Sequence, residues 1–217
     1  MALTNVAIKS AKPGAKPFKL ADSEGLHLLV QPNGARYWRM NYRFLGKHKT
    51  LAFGVWPDIS LADARAKRDA ARRLIANGID PGEKAKQDKI AANVAAAKFL
   101  KRSRVPALYR VHPRPPTHKY EELADFMATV GIALPSYEDL QPEDLMAILA
   151  RAKSRPDGAL IEAVVLRSQS LATYTADCDG HFGLALGAYA HFTSPIRRYP
   201  DLLVHRVIHH ALGKRTP

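Results

Sequence analysis

Leu26 to Val30 is a short apolar run, set between a turn at Ala21-Asp22-Ser23-Glu24-Gly25 and a second at Pro32-Asn33-Gly34. Asn and Gly tolerate positive φ, so the second turn has hairpin chemistry. From Tyr37 to Phe44 the chain alternates at period two. Trp38, Met40, Tyr42 and Phe44 take one face, and Tyr37, Arg39, Asn41 and Arg43 the other. Leu45-Gly46-Lys47 turns the chain again, and Lys49 to Phe53 reads as a third strand. The pattern predicts a small three-stranded antiparallel sheet with one oily face and one basic face.

The period then lengthens. Ser60 followed by Asp63 resembles a capping box, and a helix is predicted from Leu61 to about Ala76, closed by Asn77-Gly78. Its apolar stripe is Leu61, Ala64, Ala71, Leu74 and Ile75, which would cover the oily sheet face. Arg65, Lys67, Arg68, Arg72 and Arg73 project elsewhere; such residues commonly form a solvated face or meet a polyanion. Pro81 to Lys89 is polar and charged, as a linker or frayed helix would be, and Ile90 to Leu100 opens a new apolar helix.

Beyond it, Pro106 to His112 is strand-like, and helices are predicted at Lys119–Val130, Pro142–Lys153 and Asp157–Ser170. Leu171 to Thr175 and Phe182 to Leu186 read as strands. Ser194 as N-cap and Pro195 as first helical residue start a last helix through His210. Arg197 and Arg198 would sit in its first turn, where exposed N–H groups and the dipole favour an anion, making a phosphate-binding corner. The fold class is α+β: a sheet with one helix, then a mostly helical part. The expected domains are residues 1–85 and 86–217.

Charge sharpens this picture. The chain has 217 residues and a formal net charge of +13. Residues 1–89 hold 17 Lys/Arg against 8 Asp/Glu, a net +9, which leaves +4 for the remainder. That density favours a polyanion partner, since each phosphate neutralised releases counterions. The single cysteine, Cys178, excludes an internal disulfide and suits a reducing compartment. No apolar run of membrane-spanning length and no signal-peptide layout is present, so a cytoplasmic protein without a membrane partner is expected.

Leu3-Thr4 with Ala11-Lys12-Pro13-Gly14, Leu20-Ala21-Asp22, Gly25 to Val30 and Trp38 to Arg43 follow one another in a familiar order. Leu51-Ala52-Phe53-Gly54, Pro57 to Arg65 and Asn77-Gly78-Ile79-Asp80-Pro81 continue it. Residues 3–82 thus resemble the amino-terminal DNA-binding domain of satellite-phage-type tyrosine integrases. The resemblance implies duplex DNA as partner, with Tyr37, Arg39, Asn41 and Arg43 as the candidate groove or phosphate contacts. Strand transfer is not expected, because no His in the chain has an Arg three residues later.

Asn93, Pro106 to His112, His181-Phe182-Gly183-Leu184 and Thr193 to Tyr199 carry a second likeness. Residues 90–212 resemble the later part of the catalytic (RNB) domain of the ribonuclease II/R family of 3′→5′ exoribonucleases. The family's usual glutamate pair ahead of Ile-Ala-Ala-Asn is replaced by Lys86 and Gln87, as a recombination scar or gene fusion would leave it. The resemblance implies Arg197 as the catalytic-site phosphate ligand, with Thr193, Ser194 and Arg198 as further RNA contacts. It also implies magnesium held by four clustered aspartates, and this chain has no such cluster. Asp177 and Asp179 flank Cys178 alone, and His205 and His209 share a helical face without a third ligand, so no metal site and no cofactor are expected.

The reading is a nucleic-acid-binding composite: duplex DNA through the first half, weak single-stranded RNA binding through the second, and no RNA hydrolysis. The alternative is a magnesium-dependent 3′→5′ exoribonuclease. Self-association is expected through apolar faces that an incomplete RNB domain leaves uncovered.

Overall fold

The computed structural model describes residues 2–194 and 198–213. The chain divides into two compact units, residues 1–88 and 89–217. The fold is α+β, with a four-stranded antiparallel sheet and seven α-helices among the described residues.

The first unit opens with α1 (Asn5–Ser10), whose N-cap Thr4 accepts from the Ala7 N–H at 3.2 Å. Four strands follow in the order β1-β2-β3-β4: β1 (Phe18–Ala21), β2 (Leu26–Val30), β3 (Arg36–Phe44) and β4 (Lys47–Val55). The sheet therefore has one strand more than its pattern predicts. β1 is only four residues long, too short for its alternation to stand out, and it pairs Phe18 with Val30 and Leu20 with Leu28. Gly25, at φ +82°, ends the β1–β2 turn so close to β3 that a Cβ would lie 2.1 Å from the Asn41 carbonyl. No other residue fits there.

Helix α2 (Leu61–Ala76) starts where expected, with both halves of the Ser60/Asp63 capping box formed. It lies against β2 and β3. Trp38, Leu26 and Leu28 of the sheet pack with Ile8, Leu61 and Ala64, and the buried indole N–H donates to the Ile59 carbonyl at 2.9 Å. Met40, Tyr42 and Ala71 form a second cluster beside Phe44, Leu51 and Ile75.

Two buried carboxylates fasten this unit. Asp22 accepts from the Leu3 N–H at 2.9 Å and takes both arms of Arg65, Nε at 3.0 Å and Nη2 at 2.8 Å. Its side chain is fully buried. Those bonds, led by the Arg65 pair, hold its pKa down to about 2 against burial. Asp80 accepts from the Tyr42 hydroxyl at 2.6 Å, from Lys49, and from the Gly82 N–H at 2.9 Å. Its pKa is likewise lowered to about 2, and the Tyr42 phenol is pushed up to about 12 by burial and by Asp80.

No linker follows Asp80. A single helix, α3, runs Pro81–Ser103 through both the polar stretch and the apolar one. Pro81 sits at the first helical position, the Asp80 carboxylate caps the Gly82 N–H, and Lys84 pairs with Asp88 one turn on. Pro81 to Lys89 is polar because that face is solvated, not because the chain is irregular.

In the second unit Ala96, Ala97 and Leu100 of α3 pack with Tyr109 and Val111 of β5 (Tyr109–Val111) and Val204 of α7 (Tyr199–Ala211). A second core joins α4 (Thr117–Thr129), α5 (Pro142–Ala152) and α6 (Gly158–Ser168) through Leu123, Met127, Ile148, Ile161 and Val165. β5 pairs antiparallel with β6 (Thr173–Thr175). Phe182–Leu184 is a 3-10 turn, not the strand its apolar run suggests. His112 explains it: Nδ1 accepts from the Gly183 N–H at 3.0 Å and curls the segment around the imidazole. Helix α7 is described from Tyr199, with Arg198 in the cap position; of the expected Ser194-Pro195 start, Pro195 lies outside the described residues, and the Arg198 N–H donates to the Ser194 carbonyl at 3.1 Å. Among the described residues no helix is long and apolar enough to cross a membrane.

The Asp22 pKa fixes how this unit responds to acid. The carboxyl falls from its ordinary 3.8 to about 2 on folding, so its stabilisation is complete above the higher value and is lost as pH drops toward the lower. The shift corresponds to about 2 kcal/mol. Asp22→Asn is expected to cost at least that at neutral pH, with the gap to the unaltered chain closing between about pH 4 and pH 2. Urea unfolding followed by tryptophan fluorescence checks this, since Trp38 and Trp56 both lie in this unit. A gap that stays constant with pH contradicts it.

Candidate nucleic-acid interface

Alternation along β3 turns Trp38, Met40 and Tyr42 into the core and leaves Tyr37, Arg39, Asn41 and Arg43 on the outer face. The structure thus brings the four candidate DNA contacts together in one row. Their cross-strand neighbours extend the surface. Arg39 stands opposite His27 on β2 and Ala52 on β4, and Tyr37 stands opposite Leu29 and Val55. Thr50 donates to Asn41 Oδ1 at 3.0 Å, and Arg43 Nε donates to His48 Nε2 at 3.0 Å. His27 is held below its usual pKa, first by burial and then by nearby Lys19 and Arg39, so it adds no charge. Among the described residues no hydrogen bond or ion pair holds the Arg39 guanidinium.

Most of the basic row on α2 is committed elsewhere. Arg65 is tied to Asp22; Arg68 meets Asp22 at 3.6 Å, Glu24 at 3.3 Å and Asp69 at 2.8 Å; Arg72 pairs with Glu24. These cations neutralise the β1–β2 turn. Arg36 lies over the Trp56 ring at 4.6 Å and donates to the Ala11 carbonyl.

In the second unit the segment from Tyr189 to Arg198 is held from several sides. Asn93 donates to the Tyr189 hydroxyl at 2.9 Å and accepts from the Phe192 N–H at 3.0 Å. His205 stacks on Phe192 at 4.2 Å and places Nε2 2.9 Å from its carbonyl oxygen, which fixes the ring for packing. Asp201, fully buried, accepts from the Ser194 N–H at 2.8 Å and faces Arg198 with Nε at 2.8 Å and Nη2 at 2.9 Å. Thr193, Ser194 and Arg198 therefore sit on one segment; Arg197 lies outside the described residues. The basis expected for the corner changes here. Arg198 stands at the N-cap of α7 and is braced by a carboxylate rather than standing in an open first turn.

A group of rings adjoins this segment. His112 and His181 stack at 4.9 Å, His181 meets Tyr189 edge-on, and Tyr189 meets His191 edge-on. Burial is the leading cause that lowers all three histidines, His181 to about 4, with His112 and Arg110 adding to the effect on His181. They are neutral at pH 7, which suits His112 Nδ1 as acceptor from Gly183. Tyr174 places its hydroxyl 2.6 Å from His191 Nδ1 and carries Arg110 over its ring at 4.7 Å. Asp201, Arg110, Tyr174 and His191 are absent from the residues singled out by sequence. The i, i+3 spacing of Arg198 and Asp201 was the only available signal, and the ring group comes from three separate segments.

The Arm DNA-binding domain family matches residues 3–88, and the RNB domain family matches residues 58–214. The matches overlap on residues 58–88, which carry α2 and pack in the first unit. The chain is 43% identical to Escherichia coli ribonuclease R over 125 residues, 58% of this chain but only 15% of that protein. It is 63% identical to the E. coli putative protein IntB over 65 residues, 30% of this chain and 16% of that protein. Mycoplasma genitalium RNase R, solved with ribose-methylated single-stranded RNA, shares the fold with a TM-score of 0.52 and 22% identity, covering 93% of this chain and 26% of that one. The chain belongs to the RNB domain family, spans a small part of its ribonuclease relatives, and carries an Arm DNA-binding domain at its amino end.

Proposed function

We propose that this chain is a nucleic-acid-binding composite. Its first unit binds duplex DNA through the outer face of β3, and its second holds single-stranded RNA weakly without cleaving it. The observation that carries the first part is the row Tyr37, Arg39, Asn41 and Arg43, projecting from one strand while Arg65, Arg68 and Arg72 of α2 are paired with carboxylates. A strand face can enter a major groove, where Arg reads guanine and Asn reads adenine. RNA binding rests on Arg197 as phosphate ligand with Thr193, Ser194 and Arg198 beside it. The ribonuclease R likeness and the RNA-bound structural neighbour support it.

Cleavage is a separate matter. In this family magnesium activates water and neutralises developing charge, which requires clustered carboxylates. In support of a site without magnesium, Asp201 is engaged by Arg198 and the Ser194 N–H, and Asp177 and Asp179 flank Cys178 as a pair. Arg197 can bind a phosphate through charge-assisted bonds, but holding the ground state does not lower a barrier. The remaining partner is a second copy of the chain. Met146 is 50% exposed on α5, and Leu160 and Leu166 are 55% and 61% exposed on α6. Burying such apolar area favours association.

Three outcomes are expected. In mobility-shift titrations with arm-site-length duplexes, Arg39→Ala with Arg43→Ala weakens binding by about tenfold or more. The salt slope becomes shallower by about 2. Unchanged affinity sinks the β3 assignment. Incubated with end-labelled single-stranded RNA and magnesium, the purified chain leaves the RNA intact; stepwise shortening from the 3′ end, abolished by Arg197→Ala, installs the exoribonuclease reading instead. In sedimentation velocity the chain shows concentration-dependent association that Leu160→Glu with Leu166→Glu reduces. A monomer at every concentration contradicts that expectation.

A further inference from the structure

Because β5 turns Tyr109 and Val111 into the core, Arg110 points outward, and its partner across the pair is Tyr174 on β6. The Tyr174 ring is unusual for an exposed aromatic in being held on two sides. Arg110 lies over it at 4.7 Å, and the hydroxyl is 2.6 Å from His191 Nδ1. Its remaining surface is open, with 37% of the residue exposed. His191 is itself fixed edge-on against the buried Tyr189, which Asn93 anchors at 2.9 Å. The ring is therefore immobilised through two further layers of contacts, and little of its freedom is left to lose on binding.

His191 also lies in the segment that leads into Thr193 and Ser194. At most about 11 Å of extended chain separates His191 from Ser194. A partly exposed tyrosine with a guanidinium over it thus contacts, through His191, the stretch of backbone that carries Thr193 and Ser194. Aromatic faces backed by cations are what single-stranded nucleic acids use to stack their bases, whatever the base.

We propose that Tyr174, backed by Arg110 and anchored by His191, is a stacking subsite for a nucleobase of single-stranded RNA whose phosphate is held beside Thr193 and Ser194. The proposal rests on the RNA-phosphate reading above and adds to it a contact with the base. The hydroxyl's bond to His191 orients the ring; the π face binds. A ring that served only to staple the β5–β6 pair would need no exposed surface.

The test measures anisotropy of fluorescein-labelled octauridylate and of an abasic octamer with the same ribose-phosphate backbone. The full-length chain carries Arg39→Ala and Arg43→Ala so that the β3 face does not compete for the probe. Tyr174→Leu keeps bulk beside Arg110 but removes the π face. It is expected to weaken octauridylate binding about tenfold and to leave the abasic probe unchanged. Tyr174→Phe keeps the face and is expected to remain within about twofold of the parent, which separates stacking from loss of fold. Arg197→Ala should weaken both probes. Tyr174→Leu acting equally on the two probes, or on neither while Arg197→Ala acts on both, overturns the subsite and leaves the phosphate reading standing. Failure of the parent chain to bind either probe removes both.

Discussion

Asp22 has almost no freedom to be anything else. A carboxylate with a fully buried side chain is tolerable only if its charge is matched, and here it is matched by the two-armed guanidinium of Arg65 and by the Leu3 N–H. Asp22 stands in the turn between β1 and β2, and its partners come from the first residues of the chain and from the helix laid across the sheet. Arg65 returns a bond to the Leu3 carbonyl at 2.9 Å, so the amino-terminal segment is held as donor and as acceptor. The oily face of β3 is covered because α2 is tied down in this way. The basic face is presented because the oily one is covered.

The same arrangement recurs, smaller, in the second unit. Asp201 is buried, and it joins Arg198 at the start of α7 to the Ser194 backbone. In both places a carboxylate takes up cations that a charge count would assign to a polyanion. The +9 of the first 89 residues already subtracts Asp22, Glu24 and Asp69, which Arg65, Arg68 and Arg72 balance, so the excess cations that DNA could meet lie elsewhere on the unit. The β3 row gains weight by contrast: its cations project from a strand with no carboxylate opposite them.

Much of the first unit was legible. The period-two run at Tyr37–Phe44 and the capped helix from Leu61 are local signals that tertiary context reinforces. β1 was not legible, because four residues carry too little alternation. Pro81 to Lys89 left a linker and a frayed helix both open, because polarity alone does not distinguish a solvated helical face from a linker; the Asp80 cap and the Lys84–Asp88 pair decide for helix. In the second unit the expected Ser-Pro helix start falls on Pro195, outside the described residues; around it, Asp201 accepts from the Ser194 N–H and the Arg198 N–H donates to the Ser194 carbonyl. The Phe182–Leu186 run failed because a histidine from a distant segment bends it. The Tyr174 group lies beyond any local signal, since Arg110, Tyr174 and His191 meet only in the fold.

The unbroken course of α3 has a consequence for how the composite persists. Proteases bind their substrates as extended chain and nick exposed loops far more readily than helices. The stretch where one family likeness gives way to the other, from Pro81 past Ile90, offers no extended backbone, since every residue of it is helical. Proteases therefore find no extended backbone in that stretch to bind. At that point the chain is a single continuous structural element.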